Sequence, residues 1–405
     1  MVLPSIPPVR SLDPSETEFC DRALGAVSRT FALSIRGLPV GLREAVRAAY
    51  LLCRIVDTIE DDDALAPGAR TALFAAFDRA IERATAGDET AGQEMEARAI
   101  ALGLGRDAEA ELAGRSATVF RAFALLPSSA RCAIAPRLLE MSAGMRAYSS
   151  RAEAEGGLRI RDLPDLERYC HHVAGTVGEL LTDLFADACP VDPAVRRELD
   201  ARAAAFGIGL QLVNILKDIA EDAARGACFL PLSCARDHAV SVEHLLEPRE
   251  RARGLALCRS LVRRAREHLD RAEEYALLWP HEGAGKDARA FSAGPLALAL
   301  GTLRLIEIGE ATLVPGTAPA VSREFVLGVF TELGRQGDPS DRRAADRSLR
   351  ALLDRARIGV AGPPSRPPEP PPHVRARPAD VAAPHAPHAP RTGARGRDAT
   401  FASLP

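Results

Sequence analysis

The sequence predicts an all-α fold. From about residue 14 to residue 358, nearly every segment is rich in Ala, Leu, Arg and Glu and repeats its apolar residues with the period of a helix. Alternating strand patterns are nearly absent. Hydrophobic residues make up 47% of the 405 residues, which is ample for a core. No break between helices is long enough to be an interdomain linker, so we predict one domain over residues 13–358, preceded by an extension of residues 1–12.

The predicted helices follow one another with typical start and stop signals. The first begins at Asp13, with Pro14 in the first helical position and Glu16 completing a capping box. Gly- and Pro-containing segments separate the later ones. The predicted helices span residues 14–36, 40–62, 67–86, 106–125, 128–151, 163–188, 192–223, 249–279, 287–311, 321–334 and 340–358.

The composition changes abruptly after Val360. Residues 359–405 are rich in Pro, Ala and His, with six arginines and three acidic residues after Val360. A segment of this composition cannot bury a core, so we predict a passive tail that is disordered or locally polyproline II.

Net charge and cysteine content indicate which classes of protein the chain can belong to. The net charge of −3 gives no basic field for nucleic acid. The eight cysteines contain no C-x-x-C pair, which favours reduced thiols in a cytoplasmic protein. The N-terminus lacks the pattern of a signal peptide, and no apolar run reaches the length of a membrane span. We therefore expect a soluble or at most membrane-peripheral protein.

The acidic pattern D-x-x-E-D occurs twice, at Asp57–Asp61 and at Asp218–Asp222. In a helix these three acids share one face, which is costly unless cations bind there. Oxygen ligands of this kind suit Mg²⁺. A solvated helix face is the alternative, but each pattern follows an apolar run. Two such faces opposite each other would form a diphosphate site.

Polar side chains continue both acidic faces upstream. Tyr50, Arg54, Asp57 and Asp61 keep a three-to-four-residue step, and Arg54 is suited to bidentate phosphate contact. An ion pair of Arg54 with Asp57 or Asp61 inside the helix is the alternative. Ser28 and Arg29 lie further upstream, and the guanidinium group of Arg29 is a second candidate for bidentate phosphate contact.

The second face contains Gln211, Asn214, Asp218 and Asp222 in the same register. Lys217 and Arg225 flank the acids and are candidates for phosphate contact. A polar interface between helices remains the alternative for this group.

A third segment runs from Tyr169 to Glu179 between the two acidic patterns. Small residues at positions 174, 175 and 178 allow another backbone or a long apolar ligand to approach closely. Cys170, His171 and His172 do not predict a zinc site, because adjacent helical residues point about 100° apart.

These segments together, S-R-T-F, Y-L-L-C-R-I-V-D-T-I-E-D, Y-C-H-H-V-A-G-T-V-G and Q-L-V-N-I-L-K-D-I-A-E-D, resemble the squalene/phytoene synthase family over residues 17–310. The resemblance implies a class I isoprenoid (terpenoid) synthase fold with a central active-site cavity. It also implies Mg²⁺-dependent head-to-head joining of two allylic prenyl diphosphates through a cyclopropyl intermediate.

The resemblance also implies roles for individual residues. The metal ligands it implies are Asp57, Asp61, Asn214, Asp218 and Asp222. Glu60 and Glu221 complete the two patterns; we include Glu60 among the predicted ligands, and support of a neighbouring ligand without direct metal contact is the alternative for both. The resemblance implies that Arg29 and Arg54 bind diphosphate. Together with the candidates from the sequence pattern, the predicted diphosphate contacts are Ser28, Arg29, Arg54, Gln211, Lys217 and Arg225. Tyr50 and Tyr169 resemble tyrosines that line the reaction centre and, with Asp57 and Asp218, form the predicted catalytic set.

The D-T-I-E-D wording resembles squalene synthases, which implies farnesyl diphosphate as substrate and reduction of presqualene diphosphate to squalene by NADPH. Phytoene or dehydrosqualene synthase, which needs no reductant, is the alternative within the family. A non-catalytic helical protein that binds prenyl diphosphate is a more remote one. Lys286 and Arg289, placed in a loop after Trp279-Pro280, are candidates for a cofactor phosphate or ordinary surface charges. His172 and Ala227 depart from residues common in relatives.

Overall fold

A computed structural model describes residues 11–224, 227–309, 311–334 and 341–358 of the chain, without the side chains of Arg29 and Ala224. Within these residues the fold is all-α, as predicted, with a single isolated bridge between Arg159 and Cys228. The helices are α1 Pro14–Val27, α2 Arg29–Arg36, α3 Val40–Asp61, α4 Pro67–Thr85, α5 Gln93–Leu102, α6 Asp107–Ala113, α7 Ser116–Ala124, α8 Ser128–Glu155, α9 Leu163–Cys170, α10 Thr176–Ala188, α11 Pro193–Ala224, α12 Leu232–Asp237, α13 Arg251–Leu278, α14 Gly283–Ile308, α15 Arg323–Gly334 and α16 Arg342–Ile358.

The predicted start of the first helix is confirmed, but its predicted length is wrong. Asp13 Oδ1 accepts a hydrogen bond from the Glu16 amide at 2.9 Å, and Glu16 accepts one from the Asp13 amide at 3.1 Å. The helix then breaks at Ser28, whose backbone is extended. The Phe31 amide donates to Ser28 Oγ at 3.2 Å, so Ser28 caps α2.

Three further differences concern short helices. The predicted helix 106–125 is two helices, α6 and α7, separated at Gly114 and Arg115. Helices α5 and α12 were not predicted. In α5 only Met95 and Ala99 are buried, so its apolar period is weak, and Gly103 ends it in the left-handed region at φ 62°.

The predicted helix 163–188 is continuous in space but contains one π turn, His171–Gly175, between α9 and α10. Gly178 lies against the Ala203 carbonyl and Gly207 against the Ala174 carbonyl, so α10 and α11 cross with their backbones nearly in contact. The predicted close approach at this segment is confirmed, and the approaching backbone is that of α11.

The expectation that no apolar run reaches the length of a membrane span is wrong. Two helical stretches, Pro193–Ala223 and Gly283–Ile308, are long and apolar enough by composition. Their apolar windows are 89% and 78% buried inside the protein, as in core helices. Helix α11 packs against α10, α13 and α14, and α10 also packs against α3, so the helices of both acidic patterns flank α10.

Candidate active site

The first acidic pattern lies at the buried end of α3. Asp57 has no exposed surface, and Arg54 is 2% exposed. Arg54 Nη1 donates to Asp57 Oδ2 at 3.2 Å, and its Nη2 donates to Glu109 Oε1 of α6 at 2.6 Å. The intrahelical pair considered from the sequence is therefore present. A diphosphate that bound Arg54 would have to compete with two carboxylates.

Glu109 is a residue that sequence reasoning missed. It follows Arg54 by 55 residues and lies in a short acidic helix that carries no motif. The turn before α6 also contacts the first pattern, because the Gly105 amide donates to Asp62 Oδ2 at 2.9 Å. Only the folded chain brings α6 to the acidic end of α3.

Tyr50 lies on α3 one turn before Arg54 and is 5% exposed. Its ring stacks on Phe31 of α2, with centroids 5.7 Å apart and planes at 28°. Burial raises the pKa of Tyr50, against the effect of Arg54, and the phenol stays neutral. The residue can therefore offer a neutral ring face beside the acidic pattern.

An apolar cavity adjoins Tyr50. Side chains of α2, α3, α10 and α14 line it, among them Phe31, Tyr50, Val177, Leu180, Leu181 and Phe291. Its volume is about 10 Å³, which is room for about one water molecule. The lining is mainly aliphatic and Phe side chains. Such a lining offers water few hydrogen-bond partners.

The second acidic pattern continues a buried polar face of α11. Gln211 and Asn214 are each 1% exposed, Asp222 is 3% exposed and Asp218 is 6% exposed. Gln211 Oε1, both polar atoms of the Asn214 amide and Asp218 Oδ2 have no hydrogen-bond partner among the described residues. Each buried polar atom in this state costs about 1–3 kcal/mol.

The charge of Asp218 is costly in this environment. Burial raises the pKa of Asp218 to about 7, although Lys217 lowers it. Lys217 Nζ lies 3.0 Å from Asp218 Oδ1, so one oxygen is paired, and the other has no hydrogen-bond partner among the described residues. A divalent cation would satisfy these oxygens and stabilise the carboxylate. The residues therefore fit Mg²⁺, which prefers hard oxygen ligands.

Tyr169 is 2% exposed and packs against two aromatic side chains. Its ring lies edge-on to Tyr148 at 5.1 Å and contacts Phe229 at 5.3 Å. Tyr148 Oη donates to Asp165 Oδ1 at 2.9 Å, and Arg151 makes two hydrogen bonds of 3.0 and 2.9 Å to the same carboxylate. This network holds Tyr148, which packs against Tyr169, and no sequence pattern predicted it.

Of the remaining predicted residues, some lie outside the described part of the chain and others have structural roles. Arg29 is the first residue of α2, with its side chain outside the described set, and Arg225 lies outside the described residues. Ser28 caps α2. The prediction that Arg289 lies in a loop is wrong: it is fully buried in α14 and its Nη2 donates to Asp346 of α16 at 2.6 Å. Arg289 therefore does not fit a surface contact with a cofactor phosphate.

The fold and site define an all-α protein with two acidic helical patterns, each containing buried carboxylates, and an apolar cavity beside the first. A family model described as squalene/phytoene synthase matches residues 24–324. The chain belongs to this family, which confirms the resemblance seen in its motifs.

Individual relatives agree with this assignment. The squalene synthase of Schizosaccharomyces pombe is 28% identical over 293 residues, which are 72% of this chain and 60% of that protein. That of Eremothecium gossypii is 29% identical over 302 residues, 74% of this chain and 64% of that protein. The chain thus spans 60% to 64% of the length of these relatives.

Solved structures share the isoprenoid synthase fold. A ligand complex of TcSQS matches 85% of this chain and 98% of its own, at 23% identity and a TM-score of 0.63. A dehydrosqualene synthase in complex with a ligand matches 79% of this chain and 95% of its own, at 21% identity and a TM-score of 0.57. The predicted fold class is confirmed.

Proposed function

We propose that this chain is a squalene synthase, a prenyltransferase that joins two farnesyl diphosphates head to head. The product of the first half-reaction is presqualene diphosphate, and NADPH reduces it to squalene in the second. The family match and the squalene synthases among the relatives support this proposal.

One observation carries the site assignment: on the buried face of α11, Gln211 Oε1, Asn214 Oδ1 and Asp218 Oδ2 have no hydrogen-bond partner in the part of the chain that the structure describes. In the proposed site Asn214, Asp218 and Asp222 hold Mg²⁺ at one helix, and Asp57, Glu60 and Asp61 hold it at the other. When bound, Mg²⁺ offsets the charge of the departing diphosphate, so that ionisation needs no acid.

Side chains of the protein orient the metal ligands, stabilise positive charge and exclude water. Lys217 neutralises one oxygen of Asp218, which leaves the second for the cation. The ring faces of Tyr50 and Tyr169 steady positive charge on the substrate. The apolar wall formed by Val177, Leu180 and Leu181 excludes water that would quench an allylic cation.

The proposal also concerns the reductant and the location of the protein. We assign no residue to NADPH, because Arg289 is held in an ion pair. Cytoplasmic location, with at most peripheral membrane contact, is compatible with the eight free cysteines and the buried apolar helices.

A direct test measures diphosphate release from farnesyl diphosphate by the purified full chain. We expect release with millimolar Mg²⁺ and none after EDTA treatment, with recovery when Mg²⁺ is restored. Release that is equally fast in EDTA would contradict the metal assignment. A fully folded chain with no release under any of these conditions would support a non-catalytic binding protein instead.

A further inference from the structure

Three potential metal ligands converge away from the two acidic patterns. They are Glu140 of α8, His171 of the π turn and Glu179 of α10, and one ligand atom from each lies within 4.8 Å of the other two. His171 Nε2 lies 3.0 Å from Glu140 Oε1. We propose that this cluster, the Glu140–His171–Glu179 site, binds a divalent transition metal ion of the Zn²⁺ class.

The π turn explains why His171 and Glu179 share a face. In an uninterrupted α-helix, residues eight positions apart are rotated by about 80° from each other. The turn His171–Gly175 takes one more residue than an α-turn, which reduces this rotation. Sequence reasoning treated the segment as regular helix and looked only at adjacent residues, so it did not find this pair.

Gly175 has no side chain, and this leaves room for the imidazole ring of His171. A Cβ atom at Gly175 would lie 2.7 Å from His171 Nδ1 and would displace the ring. With glycine at this position the ring can direct Nε2 toward Glu140. Side-chain packing therefore orients the histidine as a ligand, as is usual in protein metal sites.

Arg137 contacts both carboxylates of the cluster. Its Nη1 lies 2.7 Å from Glu179 Oε2 and 3.6 Å from Glu140 Oε2. The contact of His171 with Glu140 uses the other oxygen, Oε1. A carboxylate ligand is commonly anchored through its second oxygen in this way.

The charge balance also favours a cation. Besides Glu140 and Glu179, Asp183 lies 3.8 Å from Arg137 and pairs with Arg196. Arg196 also pairs with Asp200, so four carboxylates contact two arginines, which leaves an excess of negative charge. One nitrogen and two oxygen ligands suit Zn²⁺ and related ions better than Mg²⁺, which prefers oxygen alone. Three protein ligands leave a position for water.

The proposed ion would link α8 to α10. Helix α10 supplies Val177, Leu180 and Leu181 to the apolar cavity, and α8 supplies Tyr148 to the packing of Tyr169. A metal at the Glu140–His171–Glu179 site would hold these two walls in a fixed relation. It would stabilise the folded chain and not take part in prenyl transfer.

The test is calorimetric titration of the full chain with Zn²⁺. The chain carries no affinity tag, is stripped of metal with a chelator and is kept in millimolar Mg²⁺. We expect one saturable site whose affinity falls at least about tenfold in His171→Ala and in Glu179→Gln. Zn²⁺ should raise the melting temperature of the parent chain more than that of either variant.

Matched controls separate this site from other metal-binding groups. His244→Ala removes an exposed histidine that pairs with Glu247, and it should leave the affinity unchanged. Asp218→Asn alters the second acidic pattern, and it should also keep the Zn²⁺ site. The three histidines of the tail are present in every variant, so the loss in His171→Ala is not theirs.

Three outcomes would overturn the proposal: no saturable Zn²⁺ binding, equal affinity in the parent chain and in both site variants, or loss of the site in Asp218→Asn. Far-UV circular dichroism checks the fold of each variant. Should His171→Ala fail to fold, the nearly isosteric Glu179→Gln decides the result.

Discussion

Gly207 of α11 lies so close to Ala174 of the π turn that a Cβ atom on Gly207 would overlap the Ala174 carbonyl group. Gly178 of α10 makes a similar approach to Ala203 of α11. The crossing of α10 and α11 is therefore a contact between backbones. It fixes the helix of the second acidic pattern against the helix that lines the apolar cavity.

Replacing Gly207 by Ala should destabilise the protein. The added methyl group meets backbone atoms that cannot rotate away, so we expect a loss of about 1–3 kcal/mol or more in the free energy of unfolding. Urea denaturation measures it. The control is Gly41→Ala in α3, where a Cβ atom would have no neighbour within 4 Å. Equal stability of the two variants would contradict the close crossing.

Replacing Asp218 by Asn should abolish Mg²⁺-dependent turnover. The substitution removes a carboxylate from the same buried helix as Gln211 and Asn214, whose side-chain oxygens also have no hydrogen-bond partner among the described residues. We expect a fall in kcat of about 100-fold or more, as when a charge-stabilising group is lost from an active site. Asp200→Asn, an exposed change on the same helix, should retain activity. Full activity of Asp218→Asn would remove this residue from the mechanism.

Replacing Asp346 by Asn should weaken the attachment of α16. Arg289 is fully buried, and its Nε and Nη1 have no hydrogen-bond partner among the described residues, so Asp346 is the counter-charge shown for it. Since Asp346 is 31% exposed, we expect a loss of up to about 3 kcal/mol, the low end for broken buried ion pairs. Urea denaturation measures it, with Asp354→Asn, an exposed acid on α16, as the control. No difference between the variants would contradict this role.

The Asp165 network should contribute stability that depends on pH. Burial acts to raise the pKa of Asp165, but the hydrogen bonds from Arg151, the Arg161 amide and Tyr148 outweigh burial and lower it. The unfolded chain therefore binds the proton more readily, and stability rises with pH in this range. The contribution is complete above the unfolded pKa of about 3.9 and is lost as the pH falls through the lower, folded value.

The measurement for this prediction compares the parent chain with Asp165→Asn by urea denaturation between pH 3 and pH 7. The difference in unfolding free energy should be largest at neutral pH and shrink in acid. A difference that is constant over the whole range would show that the carboxylate charge plays no part.

Much of the fold could be predicted from the sequence, because long amphipathic helices are recognisable from the helical period of their apolar residues. The acidic patterns were found for the same reason, since Asp57 and Asp218 follow apolar runs that could only be buried helices. The capping box at Asp13 was equally local. Each of these signals lies within about one or two turns of chain.

The rest depends on contacts between distant segments. Glu109 reaches Arg54 across 55 residues, and Asp346 reaches Arg289 across 57. The π turn His171–Gly175 is a local feature, but its residues have no compositional mark that distinguishes it from an α-turn. No reading of a single segment could have shown that His171 lies beside Glu140.

Product analysis of the full chain with farnesyl diphosphate and Mg²⁺, with and without NADPH, tests the central claim most directly. The account predicts presqualene diphosphate without NADPH and squalene when NADPH is present. A conjugated triene hydrocarbon in both reactions, or activity only with geranylgeranyl diphosphate, would contradict it and identify a dehydrosqualene or phytoene synthase.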